Sequence, residues 1–355
     1  MDLTWEKSKM FNVGLEFSLG NYIDGEVEYF RKNTDNLLFY KRVSPSIGFV
    51  KVPVNDGKLL NTGIEFNFTA HLVNTNDLRV DFRINGSHIN NEMKRMPIDE
   101  ATGKEKIVDD QGAYAYTKGH SLYDFYVREY AGVEAQTGLP QWNRYYYMDG
   151  ANKVTISSME EFLAGDKKGS NVLVEKTFDY NNATKKYIGK SAIPALTGGF
   201  GFDVSYKNFT LATQFLYSLG GYSYDNMYAG LMSNNESGGN NWSTDIEKRW
   251  QKPGDATSIP RLTNDYDKDG YSVSDRGIVK SNYLNLNNIL LSYELPKNIV
   301  SKLSVKGASI SVSGDNLWLT TKRKGYVPST SVSGSNDSYR YSPLSTVSVG
   351  LKVQF

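Results

Sequence analysis

Asp265, Asp267 and Asp269 stand at alternate positions, and Gly270 follows them. Carboxylates at loop positions 1, 3 and 5 with glycine at 6 begin the oxygen cage of an EF-hand calcium loop. The twelfth position is Arg276, where that loop needs a bidentate glutamate. The motif reads better as a solvated acidic turn, and no metal site is assigned. Three histidines, His71, His88 and His120, are too few for a histidine metal cluster, and no cysteine is present for zinc thiolates, disulfides or a thiol nucleophile. No Ser/His/Asp order, phosphate-cradling glycine loop or paired-carboxylate site stands out. The expectation is therefore no enzyme, no catalytic residue and no cofactor.

Aromatic side chains offer binding chemistry instead. Trp142, Tyr145, Tyr146 and Tyr147 could stack on the flat apolar face of a sugar ring, or anchor a strand end among lipid headgroups, which is the favoured reading. Trp242 and Trp250 lie between charged residues in a long polar stretch, where ligand contact and loop packing both fit; for Trp250 packing is favoured. Forty Lys and Arg against 39 Asp and Glu leave a net charge of +1, so no global field favours nucleic acid.

The elements that carry these residues repeat with period two. Phe11, Val13, Leu15, Phe17 and Leu19 alternate with polar or small residues, as do Ile64 to Leu72 and Leu78 to Ile84, a pattern that a helix cannot keep on one face. Further runs at 22–32, 196–207, 209–221, 282–295, 306–318 and 344–355, with weaker aromatic-rich ones at 121–131 and 140–149, bring the count to about eleven strands. In 282–295 the alternation changes phase, so a β-bulge near Asn287 and Asn288 is predicted.

No apolar run is long enough for a transmembrane helix, but a barrel alternates lipid-facing and lumen-facing residues and keeps its mean hydropathy low, here −0.49. Short turns are predicted at Gly20-Asn21, Asn74 to Asn76, Ala135 to Gly138 and Lys207-Asn208. Long polar loops are predicted at 33–58, 91–120, 150–195, 222–281 and 319–343. Short periplasmic turns and long extracellular loops are the habit of outer-membrane barrels. An odd strand count sends the first and last strands the same way, which places Phe355 in the periplasm. Lipid would then meet Phe11, Val13, Phe66, Phe68, Val80, Phe82, Phe202, Val349 and Leu351. Lumen-side charges would be Glu16, Glu26, Glu28, Arg79, Asp81, Arg83, Asp203 and Lys207. Eleven strands form an open sheet whose edges are unsatisfied in lipid, so about half a barrel is expected to be missing.

Val347, Val349, Leu351, Val353 and Phe355 alternate to the C-terminus, the mark by which assembly machinery recognises outer-membrane barrels. With Leu3 to Lys9, Tyr126 to Val133, Leu196 to Gly201, Arg249 to Asp255, Ile259 to Leu262, Ser313 to Trp318 and Lys324 to Tyr326, the chain resembles the SusC/RagA-like family. After Gly-Tyr, where that family commonly has Asp-Pro-Glu, this chain has Val327-Pro328-Ser329. The resemblance implies an all-β transmembrane antiparallel barrel of 22 strands, of which residues 1–355 are the C-terminal half. It implies outer-membrane import of oligosaccharides or peptides, energised by the TonB complex through an N-terminal region and capped by a SusD-like surface lipoprotein. That lid is a further candidate partner for Trp142, Tyr145, Trp242 and Trp250. Signal peptide and plug are expected to be absent here, since Met1 to Met10 holds charges and no apolar leader. The alternatives are a soluble or surface-anchored β-sandwich that binds glycans and, more remotely, a β-sandwich or jelly-roll glycoside hydrolase.

Overall fold

The computed structural model describes residues 3–42, 48, 51–99, 102–233, 241–263, 270–303, 305–330 and 342–355. Asp265, Asp267 and Asp269 lie outside them.

The alternating runs form one antiparallel sheet of nine strands that pair in chain order. They are β1 (Lys7–Leu19), β2 (Ile23–Asp35), β3 (Lys58–Asn74), β4 (Leu78–Arg95), β5 (Leu196–Tyr206), β6 (Phe209–Leu219), β7 (Tyr283–Glu294), β8 (Gly307–Thr320) and β9 (Thr346–Gln354). Lengths of 9 to 18 residues exceed the five or six usual in soluble domains. The strand ends joined by 20–22, 75–77, 207–208 and 295–306 lie at one rim, and those joined by 36–57, 96–195, 220–282 and 321–345 at the other. Among the described residues β1 pairs only with β2 and β9 only with β8, so the sheet is a partial barrel with two open edges.

The expected count of about eleven becomes nine in the wall. The runs at 121–131 and 140–149 fold instead within 96–195, as Asp124–Arg128, Tyr130–Val133 and Pro140–Asp149 in two smaller sheets. Phe125, Tyr126 and Val127 are consecutive and all buried, which a wall strand with one face in lipid cannot be. Ala135 to Gly138 is consequently a turn inside this loop assembly, and the loops foreseen at 91–120 and 150–195 are one connection. Nine is still odd, so β1 and β9 end at the short-turn rim.

Cross-strand partners share a face. Val27 pairs with Phe66, Phe66 with Gly86, Gly86 with Gly198 and Gly198 with Tyr217. Phe82 pairs with Phe202, Leu291 with Val312 and Val312 with Val349. The same register puts all nine residues expected to meet lipid on one side. Among the described residues no second sheet covers them: Val349 is 76% exposed and Leu351 72%, whereas a sandwich would bury both. The phase change in β7 is a bulge: Gln214 and Phe215 are adjacent in β6 but face Asn288 and Leu286, skipping Asn287. Gly86 and Gly198 leave room on the outer face for the Tyr217 hydroxyl, which donates to Asn85 O at 2.8 Å; a Cβ at Gly86 would collide with that hydroxyl and the Phe66 ring, and one at Gly198 with the hydroxyl and Asn85 O.

Most of the buried core lies in the connections at the long-loop rim and the adjoining strand ends rather than across the sheet. One cluster joins Phe125, Val127, Ala192, Tyr224, Ala229 and Ile278, and others form around Met93 and Met96 and around Met232, Ile246 and Ile259.

Candidate functional site: the inner wall and the loop assembly

Alternation sends every second residue of the wall inward, and the inner face is polar. Glu16 stands opposite Glu26, and Glu28 opposite Glu65. Like charges directly across a ladder repel. A concave space of ≈ 640 Å³ lies along this face, lined by Glu26, Glu28, Glu65, Asn67, Asn85 and Gln214 among others.

Toward the short-turn rim the charges pair. His71 on β3 reaches Asp24 of β2 through Nε2 at 3.0 Å and Asp81 of β4 through Nδ1 at 2.7 Å. Ser18 Oγ donates to Asp24 at 2.6 Å, and Arg79 Nε donates to the other oxygen of Asp81 at 2.7 Å. Arg83 pairs with Asp203 of β5 at 2.5 Å. With both nitrogens facing carboxylates, the ring satisfies both contacts as an imidazolium, a donor on each side. This staple across three strands escapes sequence reading because its members lie 10 and 47 residues apart. The lumen-side charges expected from alternation lie on the inner face, except Lys207, which occupies the turn between β5 and β6 with φ of 50°.

The aromatic candidates are scattered through the loops. Trp142 is fully buried between Tyr130 and Tyr180, with edge-on ring centroids at 6.3 and 5.5 Å. It offers no face to a sugar ring, a headgroup or a lid. Tyr145 donates its hydroxyl to Glu129 Oε2 at 2.6 Å, and Lys186 pairs with Glu129 at 3.1 Å. Burial pushes the Glu129 carboxyl up, but the bonds from Tyr145, Lys186 and Asn143 outweigh it and hold the group below the usual range. Tyr145 therefore spends its hydroxyl on a tie within the loop assembly. Trp250 lies over the Ala135–Gly138 turn, its indole donating to Ala135 O at 2.8 Å, in accord with packing. Of these four only Trp242, 40% exposed, ranks as exposed.

Two further ties hold the loops. Arg323, in the connection after β8, pairs with the buried Asp225 at 2.6 Å, and Ser223 bonds Tyr326 beside it. Tyr130 N–H donates to Asp275 at 2.7 Å, and Arg276 lies over the Tyr130 ring at 4.5 Å. The terminal residues Val347, Val349, Leu351 and Val353 pair with Gly314, Val312, Ile310 and Ala308.

This arrangement can hold a polar passage behind an apolar wall. No family model matches the chain. It is 25% identical over 377 residues to TonB-dependent receptor P3 of Formosa agariphila, covering all of this chain and 34% of the receptor. To TonB-dependent receptor SusC of Bacteroides thetaiotaomicron it is 26% identical over 368 residues, covering all of this chain and 32% of SusC. The chain thus spans about a third of the length of the curated relatives it matches. Among solved structures it resembles the RagAB peptide transporter, with a TM-score of 0.75 and 24% identity over 99% of this chain and 36% of that one. The open-open state of the RagAB peptide importer gives 0.74 over all of this chain and 35% of that one, which shows the fold.

Proposed function

From its homology to SusC/RagA-type TonB-dependent receptors of the outer membrane, we propose that this chain is the C-terminal portion of such a receptor's barrel and serves in active import of oligosaccharides or peptides. The single observation that carries the reading is the division of nine paired strands into an exposed apolar face and a polar inner face, with short turns at one rim and long structured loops at the other. A soluble protein has no use for such an apolar belt, whereas lipid covers it. The chain's part is to form wall and passage, with no bond made or broken in the substrate.

In this reading the short-turn rim faces the periplasm, and the loops 96–195 and 220–282 face outward, where a SusD-like lipoprotein would close over them. Trp242 is the aromatic of this set open to ligand or lid. Energy would come from the TonB complex through a region outside these residues, and Val347, Val349, Leu351, Val353 and Phe355 would present the terminal strand to the barrel-assembly machinery.

Uptake by cells that carry the gene tests the proposal. A panel of labelled oligosaccharides and peptides is compared in parent and deletion strains, with and without dissipation of the proton-motive force. Loss of energy-dependent uptake for at least one class on deletion is expected, with the protein in the outer-membrane fraction. Unchanged uptake of the whole panel refutes import, and recovery in the soluble fraction refutes the barrel.

A further inference from the structure

The strand Val172–Thr177 pairs with Pro140–Asp149 on one side only. Which of its backbone groups are spent follows from the bonds of its neighbour. Asn143 N–H donates to Glu129 O at 3.0 Å, Asn143 O accepts from Thr184 N–H at 3.2 Å, and Tyr145 N–H donates to Thr184 Oγ1 at 2.8 Å. Asn143 and Tyr145 thus point away from Val172–Thr177, and it is Trp142, Arg144 and Tyr146 that bond to Thr177, Glu175 and Leu173. The N–H and C=O groups of Val172, Val174 and Lys176 therefore face the open side, and among the described residues nothing takes them.

Such an edge is normally blunted by a charge, a proline or a covering segment. This one is not. Val174 is 55% exposed, Leu173 and Phe178 are exposed beside it, and Glu175 is already neutralised by Arg144 and Lys153. Lys176, on the same face as Val172 and Val174, has no ion pair among the described residues. The edge thus combines a row of free donors and acceptors at a two-residue repeat with apolar side chains and one unneutralised cation. A polypeptide backbone in extended form matches that repeat, and a glycan does not.

We propose that Val172–Thr177 is a strand-accepting edge that captures an extended peptide substrate by β-addition. Apolar residues of the peptide lie over Val172 and Val174, and a carboxylate side chain meets Lys176. This rests on the import reading, in which 96–195 lies outside the cell, and it deepens that reading by naming peptides as a substrate class.

The probe is a fluorescein-labelled decapeptide of alternating valine and threonine bearing aspartate near one end, titrated by anisotropy against the full chain in detergent micelles. Val174→Pro removes a donor from the free side only, so the ladder to Pro140–Asp149 survives. It should weaken the probe at least about tenfold, the cost of a lost hydrogen bond together with the clash of the ring. Lys176→Glu should reverse the preference from aspartate to lysine in the probe. Equal binding by Val174→Pro, equal binding of a probe N-methylated at alternate residues, or no saturable binding overturns the proposal. A separate measurement isolates the reading beneath it. The chain has no cysteine, so Lys176→Cys can be labelled alone on intact cells with an impermeant maleimide. Labelling supports the outward orientation; its absence overturns that orientation whatever the peptide does in micelles.

Discussion

Asp225→Ala should open the loops without touching the wall. Asp225 is 1% exposed, and one of its oxygens accepts Arg323 Nε at 2.7 Å, with Nη2 in ion-pair contact at 2.6 Å. Its other oxygen accepts the Tyr228 N–H at 3.2 Å and caps the helix Asn226–Met232. Removing one partner of a buried pair costs about 3–5 kcal/mol, chiefly because the other charge is left without compensation. The Arg323 side chain keeps 29% of its surface, so water compensates part of this and the lower figure of about 3 kcal/mol applies. Loss of the cap adds about 1 kcal/mol. Exchange of the amides of 226–233 and 323–327 should rise by about two to three orders of magnitude, while those of β5 and β6 stay as they were. Asp225→Asn, which keeps the cap acceptor and loses the charge, should fall between. Asp225→Leu with Arg323→Met should recover most of the protection, because an apolar pair leaves no charge stranded. Unchanged exchange in Asp225→Ala, or a double variant as open as the single one, refutes the assignment of this pair as the clasp between the two loops.

Phe202→Arg, on the outer face of β5, should cost about 2–4 kcal/mol near the bilayer midplane, whereas Gln214→Arg on the inner face of β6 should be close to neutral; the folded fraction recovered from outer membranes measures both, and equal yields contradict the assignment of faces. Glu160 titrates in the opposite sense to a paired carboxylate, because burial with no partner for Oε2 raises it above its ordinary 4.5. The folded chain therefore holds this proton more tightly than the unfolded one, and the cost is fully present once pH exceeds the raised value and disappears below about 4.5. Glu160→Gln should slow exchange of amides 158–164 at neutral pH, with the advantage closing in acid; an advantage that grows in acid would reverse the sign and defeat the account.

How much of this was legible beforehand divides by the range of the interactions. The alternation of Phe11 to Leu19, Ile64 to Leu72 and Val347 to Phe355 fixes strand and face locally, since successive side chains of a strand point to opposite sides whatever surrounds them. The β7 bulge was readable for the same reason: the phase of apolar residues shifts by one around Asn287. Odd parity, and with it the common direction of β1 and β9, followed from the strand count, and it survives the change from about eleven to nine because two runs leave the wall together. Where residues 121–131 and 140–149 go could not be read this way, because a strand in a small covered sheet and a strand in a wall share propensity and length, and only burial on both faces separates them. Trp142 looked like a strand-end anchor or a binding platform because its neighbours in sequence are aromatic; its neighbours in space, Tyr130 and Tyr180, close it off. The His71 staple joins residues on three strands, and the Asp225–Arg323 clasp spans 98 residues. Their chemistry exists only once register and loop packing bring the partners within hydrogen-bonding distance, and hydrogen bonds of a few ångströms leave no periodic trace in the chain that makes them.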